Sequence, residues 1–549
     1  MSINGPYSNI SVEDCIFIAF SENGIFLKGS VGTANPQKLK GVLLRNVQAI
    51  NNKKNGLKIN ENTYQIDVVG GSYSKNRFEN GIYVGSNYKD PLRYTVNPDL
   101  FPNYFPNDVR IFNATISNNY ENGIHVDAER YYRYLEDIDD ENNTIIIDGN
   151  QLSNNLANGV KNTDFSTGLF RESYFINGNN ITNNSLVGIN VHTKKTQGPN
   201  GTEIRCNPSN NYPNANHLAE SRIDFIYLNR IEGNKNGIEV TIDSSSTPNS
   251  DNSCGFAFGN WRDPFYVSSI NQVYANRIRY NKESGVLLQL KNPFPFSGNV
   301  SDFSSVINGG EFTQNIISFN GNNGVFLNGS SSSIDESFSY NNTRVAGTTL
   351  ICNDIISNRD YGVNVIDNND PLLKEFSISL TIVLANIIEN NLVGGVKFNF
   401  TSPKTTYNIH VLGVHGNYIG NHPLFDIYNG VLGLQWFNNQ ISRNDFIGAP
   451  ILAFDVENLV LWKQNFWSDY SPGCVDGPPA DGWCDVPRPI PIANQDIQPK
   501  AGSPWGQNTR GYLKLDQGIL LSQCLVNVLP YPPRPSPSPP PPPGWGKID

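Results

Sequence analysis

The hydrophobic pattern of this chain is short in period and recurrent. FENGIYV (78–84), SENGIFL (21–27), YENGIHV (120–126) and NKNGIEV (234–240) each place aliphatic residues on alternate positions after an Asn-Gly pair. Such alternation predicts a half-buried β-strand, because a helix brings apolar residues back every third or fourth position. The glycine returns at Gly24, Gly56, Gly81, Gly123, Gly159, Gly188, Gly237, Gly285, Gly324, Gly362 and Gly395. A second apolar stretch ending in Asn lies upstream, as in VRIFNATISNN, IDFIYLNRIEGN, INQVYANRIRYN and SLTIVLANIIENN. One repeat therefore reads strand, turn, strand, turn, strand.

If each repeat makes one turn of a solenoid, equivalent strands stack in parallel about 4.8 Å apart and their apolar residues share one core. Asn and Gly tolerate the left-handed backbone, so each Asn-Gly pair is expected at the same corner of successive coils. Stacked Asn side chains can then hydrogen-bond as ladders. The expected fold is all-β, a right-handed parallel β-helix of about 13 coils, counting two faint ones near YIGNHPLFDIYN and DFIGAPILAFDV. The expected domains are the β-helix at 1–464, a terminal coil, disulfide loop and small cap at 465–528, and a proline-rich tail at 529–549.

Composition narrows the function. Charged residues make up 16% of the 549 and the net charge is −10, which leaves no basic footprint for nucleic acid. No apolar run is long enough to span a membrane. MSINGPYSNISVEDC has neither the basic nor the apolar region of a signal peptide, so a leader is expected to be missing from this chain or Met1 not to be the natural start. Ten Asn-x-Ser/Thr sequons, at Asn9, Asn113, Asn142, Asn180, Asn183, Asn200, Asn299, Asn328, Asn341 and Asn399, nevertheless lead us to expect a secreted chain carrying covalent glycans. LPYPPRPSPSPPPPPGWGKID (529–549) predicts an extended polyproline II segment.

Two resemblances add to this. The repeats resemble those of the carbohydrate-binding and sugar-hydrolase superfamily of parallel β-helices, over roughly residues 8–492 and especially its NosD-like branch. NFWSDYSPGCVDGPPADGWCDVPRPI is similar to that branch's terminal motif at Asn465, Trp467, Asp469, Tyr470, Asp476, Gly477, Asp481, Gly482, Asp485, Pro487 and Ile490. The resemblance makes Asp476, Asp481 and Asp485 the calcium candidates, although two prolines interrupt the acidic run here; no other cofactor is expected. One Met and no His/Met cluster argue against the copper association of that branch. Separately, Ser538 followed by Pro539, Pro540, Pro541, Pro542 and Pro543 resembles the extensin-like motif of hydroxyproline-rich glycoproteins, which implies hydroxylation and O-glycosylation there and at Pro537.

Seven cysteines remain. Cys474 and Cys484 bracket the acidic loop and are expected to bridge, and Cys206 and Cys254, in long insertions one coil apart, form a second expected pair. Cys352 lies in an apolar stretch and is expected to be a buried thiol. The odd total leaves at least one unpaired.

Counting from each corner glycine gives two outward columns. The first reads Phe26, Lys58, Tyr83, His125, Lys161, Asn190, Glu239, Leu287, Phe326, Asn364 and Lys397; the second reads Lys28, Asn60, Gly85, Asp127, Thr163, His192, Thr241, Gln289, Asn328, Ile366 and Asn399. His125, Asp127, Glu129, Lys161, His192, Glu239 and Asp243 form the one acidic and imidazole-bearing patch, with His125, Asp127, His192, Glu239 and Asp243 the candidates for glycoside hydrolysis or β-elimination. Phe26, Tyr83 and Phe326 are the candidate platforms for sugar stacking. Three functions compete: an extracellular structural glycoprotein of a surface, wall or fibre, contacting glycans and stacking head to tail; a polysaccharide lyase or glycoside hydrolase; and a non-catalytic carbohydrate-binding module. The structural reading leads, because glycans at Asn328 and Asn399 would sit on the face that a substrate needs.

Overall fold

The computed structural model describes residues 1–30, 38–86, 106–128, 144–163, 173–194, 219–243, 266–291, 305–329, 344–367, 381–400, 412–431, 440–442, 444–449, 451–455, 461–463, 465–468, 488–490 and 494–496. The chain is a right-handed parallel β-helix. Fourteen strands fall to each of three parallel sheets, so there is one coil more than the sequence count. The first coil defines the sheets: Ser2–Asn4 belongs to the first, Ser8–Glu13 to the second and Ile16–Ile18 to the third. The chain divides into two compact units, mainly Met1–Asn271 and mainly Ile307–Ser538 together with Gln272–Phe296.

Alternation sets the register within each unit. In the first, Ile25, Leu27, Leu57, Ile59, Ile82, Val84, Ile124 and Val126 are all fully buried, and the residues between them face outward. Phe26 pairs with Lys58, Lys58 with Tyr83, Tyr83 with His125, His125 with Lys161, Lys161 with Asn190 and Asn190 with Glu239. In the second unit Leu287, Phe326, Asn364 and Lys397 follow one another likewise. These are the pairings that counting from the glycines gives. A slip of one residue would have turned every Ile and Val of the strand to the outside, so the register is strongly specified.

The interior is partly polar. Asn52, Asn76, Asn119, Asn155, Asn184 and Asn234 stack in one column, each Nδ2 donating to the Oδ1 of the next; Asn119 to Asn155 and Asn155 to Asn184 are both 2.9 Å. The Asn of the Asn-Gly pair forms a second column that donates in the opposite direction, from Asn158 to Asn122 and from Asn122 to Asn80, both 2.8 Å. The second unit repeats the device along Asn315, Asn353, Asn386, Asn417, Asn444 and Asn465. A buried amide costs free energy unless each of its groups is bonded, and a stack of identical amides satisfies all of them.

The role of the Asn-Gly glycine differs from the expectation. Gly24, Gly56, Gly81 and Gly123 do not adopt a positive φ; a Cβ on Gly81 would lie 2.4 Å from the Ile116 side chain and 2.8 Å from the backbone of Gly123. Glycine is required there by the close approach of the next coil. The left-handed corner lies earlier, after each third-sheet strand, at Ala19, Asn51, Lys75, Asn118, Asn154 and Asn183 in the first unit and Tyr280, Phe319, Ser357, Asn390 and Asn421 in the second. That backbone costs a residue with a Cβ about 1–2 kcal/mol, least for Asn. Cys352 also differs: it sits at a left-handed corner, half-buried, and is disulfide-bonded to a partner outside the described residues. Cys15 is free.

Candidate functional site

The outward face of the first sheet in the first unit gathers most of the sequence-predicted chemistry. Strands Ile82–Ser86, Ile124–Ala128, Val160–Thr163, Val187–Lys194 and Asn236–Asp243 lie side by side and carry it. Tyr83 and His125 occupy equivalent positions on neighbouring strands, and their rings meet edge to face at 5.6 Å. The Tyr83 hydroxyl donates to Oδ2 of Asp127 at 3.2 Å. His125 Nε2 is 3.1 Å from Thr163 Oγ1, and His192 Nδ1 is 3.0 Å from Thr241 Oγ1, so each imidazole is fixed by a threonine on the following strand. The Lys58 ammonium lies 5.0 Å from the Tyr83 ring centroid.

Electrostatics keep His125 neutral. Burial holds its imidazole well below the usual histidine range, and the charges of Lys161 and His192 push it the same way. Burial also lowers the Lys58 ammonium. At neutral pH the face therefore presents an unprotonated imidazole next to a cation, with a phenol held by a carboxylate on its other side.

Glu239 is buried and accepts a hydrogen bond from Asn236 Nδ2 at 3.0 Å; Asp243 stands opposite Lys194 in the same strand pair. Asp127 and Glu239 are three strand steps apart, about 14 Å. Glycosidases hold their two carboxyl groups within about 5–9.5 Å. The structure does not bring this pair together for glycoside hydrolysis.

The stacking candidates fare unevenly. Tyr83 is only 7% exposed and bonded to Asp127, so its ring is not offered as a platform; Phe26 and Phe326 are half-buried. Sequons Asn9, Asn113 and Asn183 are exposed, while Asn180, Asn328 and Asn399 are half-buried. Glu129, Asn142, Asn200, Asn299, Asn341, the pairs Cys206 with Cys254 and Cys474 with Cys484, the acidic triad Asp476, Asp481 and Asp485, and the tail from Pro537 to Pro543 with Ser538 lie outside the described residues. Among the described residues no cluster of three or more His, Cys, Asp or Glu is placed to hold a metal, and no helix is long and apolar enough to cross a membrane.

One group escaped the column count. Glu121 is half-buried at the corner before His125; burial and then the neighbouring Glu79 raise its carboxyl, while Lys161 acts the other way. The signal was present in the repeated ENG of residues 79–81 and 121–123, which stacks two carboxylates on successive coils.

Comparison with known proteins returns a fold likeness. No family model and no curated protein matches the chain. Among solved structures it is similar to the periplasmic alginate epimerase AlgG, with 13% identity over 77% of this chain and 80% of that one and a TM-score of 0.33. It is also similar to the A-module of the Azotobacter vinelandii mannuronan C-5 epimerase AlgE6, with 12% identity over 75% and 90% of the chains and a TM-score of 0.30.

Proposed function

We propose that the protein acts on an acidic polysaccharide at the first-sheet face around His125, by removing a proton from the carbon next to a sugar carboxylate. The observation that carries this is the neutral imidazole of His125, held by Thr163 between Tyr83 and Lys161. A cation beside the substrate carboxylate makes the adjacent C–H more acidic, and the carboxylate in turn raises the imidazole toward the working pH, where a general base is most effective. A neutral sugar supplies neither effect.

In the β-elimination form of the reaction, His125 takes the proton. The electron pair becomes the new C=C bond as the glycosidic C–O bond breaks, and the departing oxygen takes a proton from Tyr83. The imidazolium then loses its proton to solvent and the Tyr83 oxygen regains one from solvent, which restores both groups. The test is incubation with a polyuronate and with a neutral glucan, followed by mass spectrometry. Elimination gives fragments whose masses sum to the substrate from the uronate alone; fragments that together gain water, or cleavage of the glucan, would overturn the reading.

A second reading, the secreted glycan-bearing structural protein, is favoured by the exposure of Asn9, Asn113 and Asn183. Asn328 and Asn399 stand in the second unit's outward column, whereas His125 stands in the first unit's. The two readings are compatible. An N-glycosidase mass shift tests the glycans and extracellular location, and electron microscopy of native material tests head-to-tail stacking.

A further inference from the structure

At the left-handed corner of the second unit, Tyr280 and Phe319 stand on consecutive coils with φ of 55° each. Their rings stack at a centroid distance of 5.3 Å and an interplanar angle of 13°, yet the residues remain 53% and 49% exposed. The corner needs neither aromatic: Ser357, Asn390 and Asn421 make the same turn further along this unit. A bulky side chain at positive φ is strained, and side chains half in water return little burial for it. Strain at a surface position, returned only by the contact of two half-exposed rings, points to a ligand.

The surroundings give the ligand's chemistry. Arg277 and Arg279 extend from one face of strand Arg277–Arg279, and the Arg279 guanidinium lies 5.4 Å from the Tyr280 ring centroid. Arg277 is exposed, and Ile316, opposite it on the next strand, is 38% exposed. Asp354, one strand further in the same column, carries the opposite charge and bounds the basic end. Aromatic rings, an aliphatic side chain and two guanidinium groups together suit a ligand with an apolar C–H face and a negative charge. The spacing agrees, since neighbouring strands are about 4.8 Å apart, close to the length of one pyranose residue.

We propose that Tyr280, Phe319, Arg277 and Arg279 form an accessory binding site for an acidic saccharide chain, separate from the first-sheet face and performing no chemistry. It rests on the reading that this protein handles acidic polysaccharide. The site holds the chain by stacking and charge while reaction takes place elsewhere.

The test is calorimetric titration of the full chain with an oligogalacturonate hexamer and with a neutral glucan hexamer, in a His125→Gln background so that the probe is not consumed. Two equivalents of the acidic hexamer are expected. Tyr280→Asn with Phe319→Asn is expected to remove one equivalent, or weaken it at least tenfold, while raising Tm by about 2 °C or more because strain is relieved. Arg277→Gln should lower acidic affinity at this site and leave any neutral binding unchanged. Unchanged stoichiometry and affinity in the double variant would overturn the proposal. Wild-type protein that turns over no uronate but keeps one Tyr280-dependent equivalent would sink the proposed reaction and leave this site standing. Turnover without such an equivalent would do the reverse.

Discussion

The outward column of the first sheet reads Tyr83, His125, Lys161, Asn190 and Glu239 in the first unit, but Leu287, Phe326, Asn364, Lys397, Tyr428 and Phe454 in the second. Strand type, register and inward residues are alike in the two. Lys58 over Tyr83 in the first unit resembles Lys397 over Tyr361 in the second, and the difference is at Lys161. Lys161 acts electrostatically on a half-buried imidazole, whereas the Lys397 ammonium lies 4.8 Å from the Tyr361 ring centroid and 3.4 Å from its hydroxyl, with Phe425 stacked on Tyr361 at 5.8 Å. The same backbone position therefore carries an imidazole beside a cation in one unit and a lysine among aromatic rings in the other. The inward residues secure the coil and leave the outward ones free to differ.

His125→Gln should break the comparison most severely, reducing turnover of a polyuronate by about 10²–10⁴-fold with the fold intact. Circular dichroism and Tm on the same preparation check the second half of that statement. Next come Asn155→Ala and Asn358→Ala, one in each unit. Each removes a rung bonded on both sides and strands buried amide groups, so each should cost about 3 kcal/mol in denaturant unfolding. Equal costs would show that the two interiors are equivalent. A cost confined to one unit would mean that its ladder contributes differently.

One rung of the second unit's ladder is not Asn. His422 takes the place of Asn after Asn391, fully buried, with its Nδ1 2.7 Å from Asp426 Oδ1, and burial lowers its pKa to about 3. The unfolded imidazole takes up a proton near pH 6.5 while the folded one stays neutral. Stability is therefore lost as pH falls from about 6.5 toward 3, by at most about 1.4 kcal/mol per pH unit. His422→Asn should flatten that loss, seen as Tm against pH. A smaller effect is expected from Lys161→Gln, which removes one of the charges depressing His125. The acid limb of activity should move up toward pH 6.5. Lys397→Gln should leave turnover unchanged, and a loss there would extend the reacting face into the second unit.

Much of this was legible in the sequence because strand alternation permits only one register. Counting from Gly81, Gly123 and Gly159 placed Tyr83 beside His125 and His125 beside Lys161, and Asn-Gly repetition announced the ladders. What escaped depends on neighbours brought close by coiling. The reason for Gly81 is a clash with Ile116 on the next coil, which no local rule about glycine contains. Tyr83 reads as an exposed ring by alternation, but its hydrogen bond to Asp127 and its burial come from the adjacent strand. The Glu121 shift arises from burial and then from Glu79, 42 residues earlier in sequence but on the adjacent coil. Asp127 and Glu239 belong to one patch by the column count, and the strand order separates them by three steps. Cys352 reads as a core thiol from its apolar neighbours, although its backbone turns a corner there.

The central claim is that His125 is a neutral base that an acidic saccharide activates. Its most direct test is an NMR titration of the six histidines, with His125 assigned by its loss in His125→Gln, without and with a polyuronate oligomer. The account predicts an imidazole that stays neutral well below pH 6.5 in the free protein and titrates at higher pH once the uronate is bound. An imidazole that titrates near 6.5 and does not respond to the uronate would contradict it.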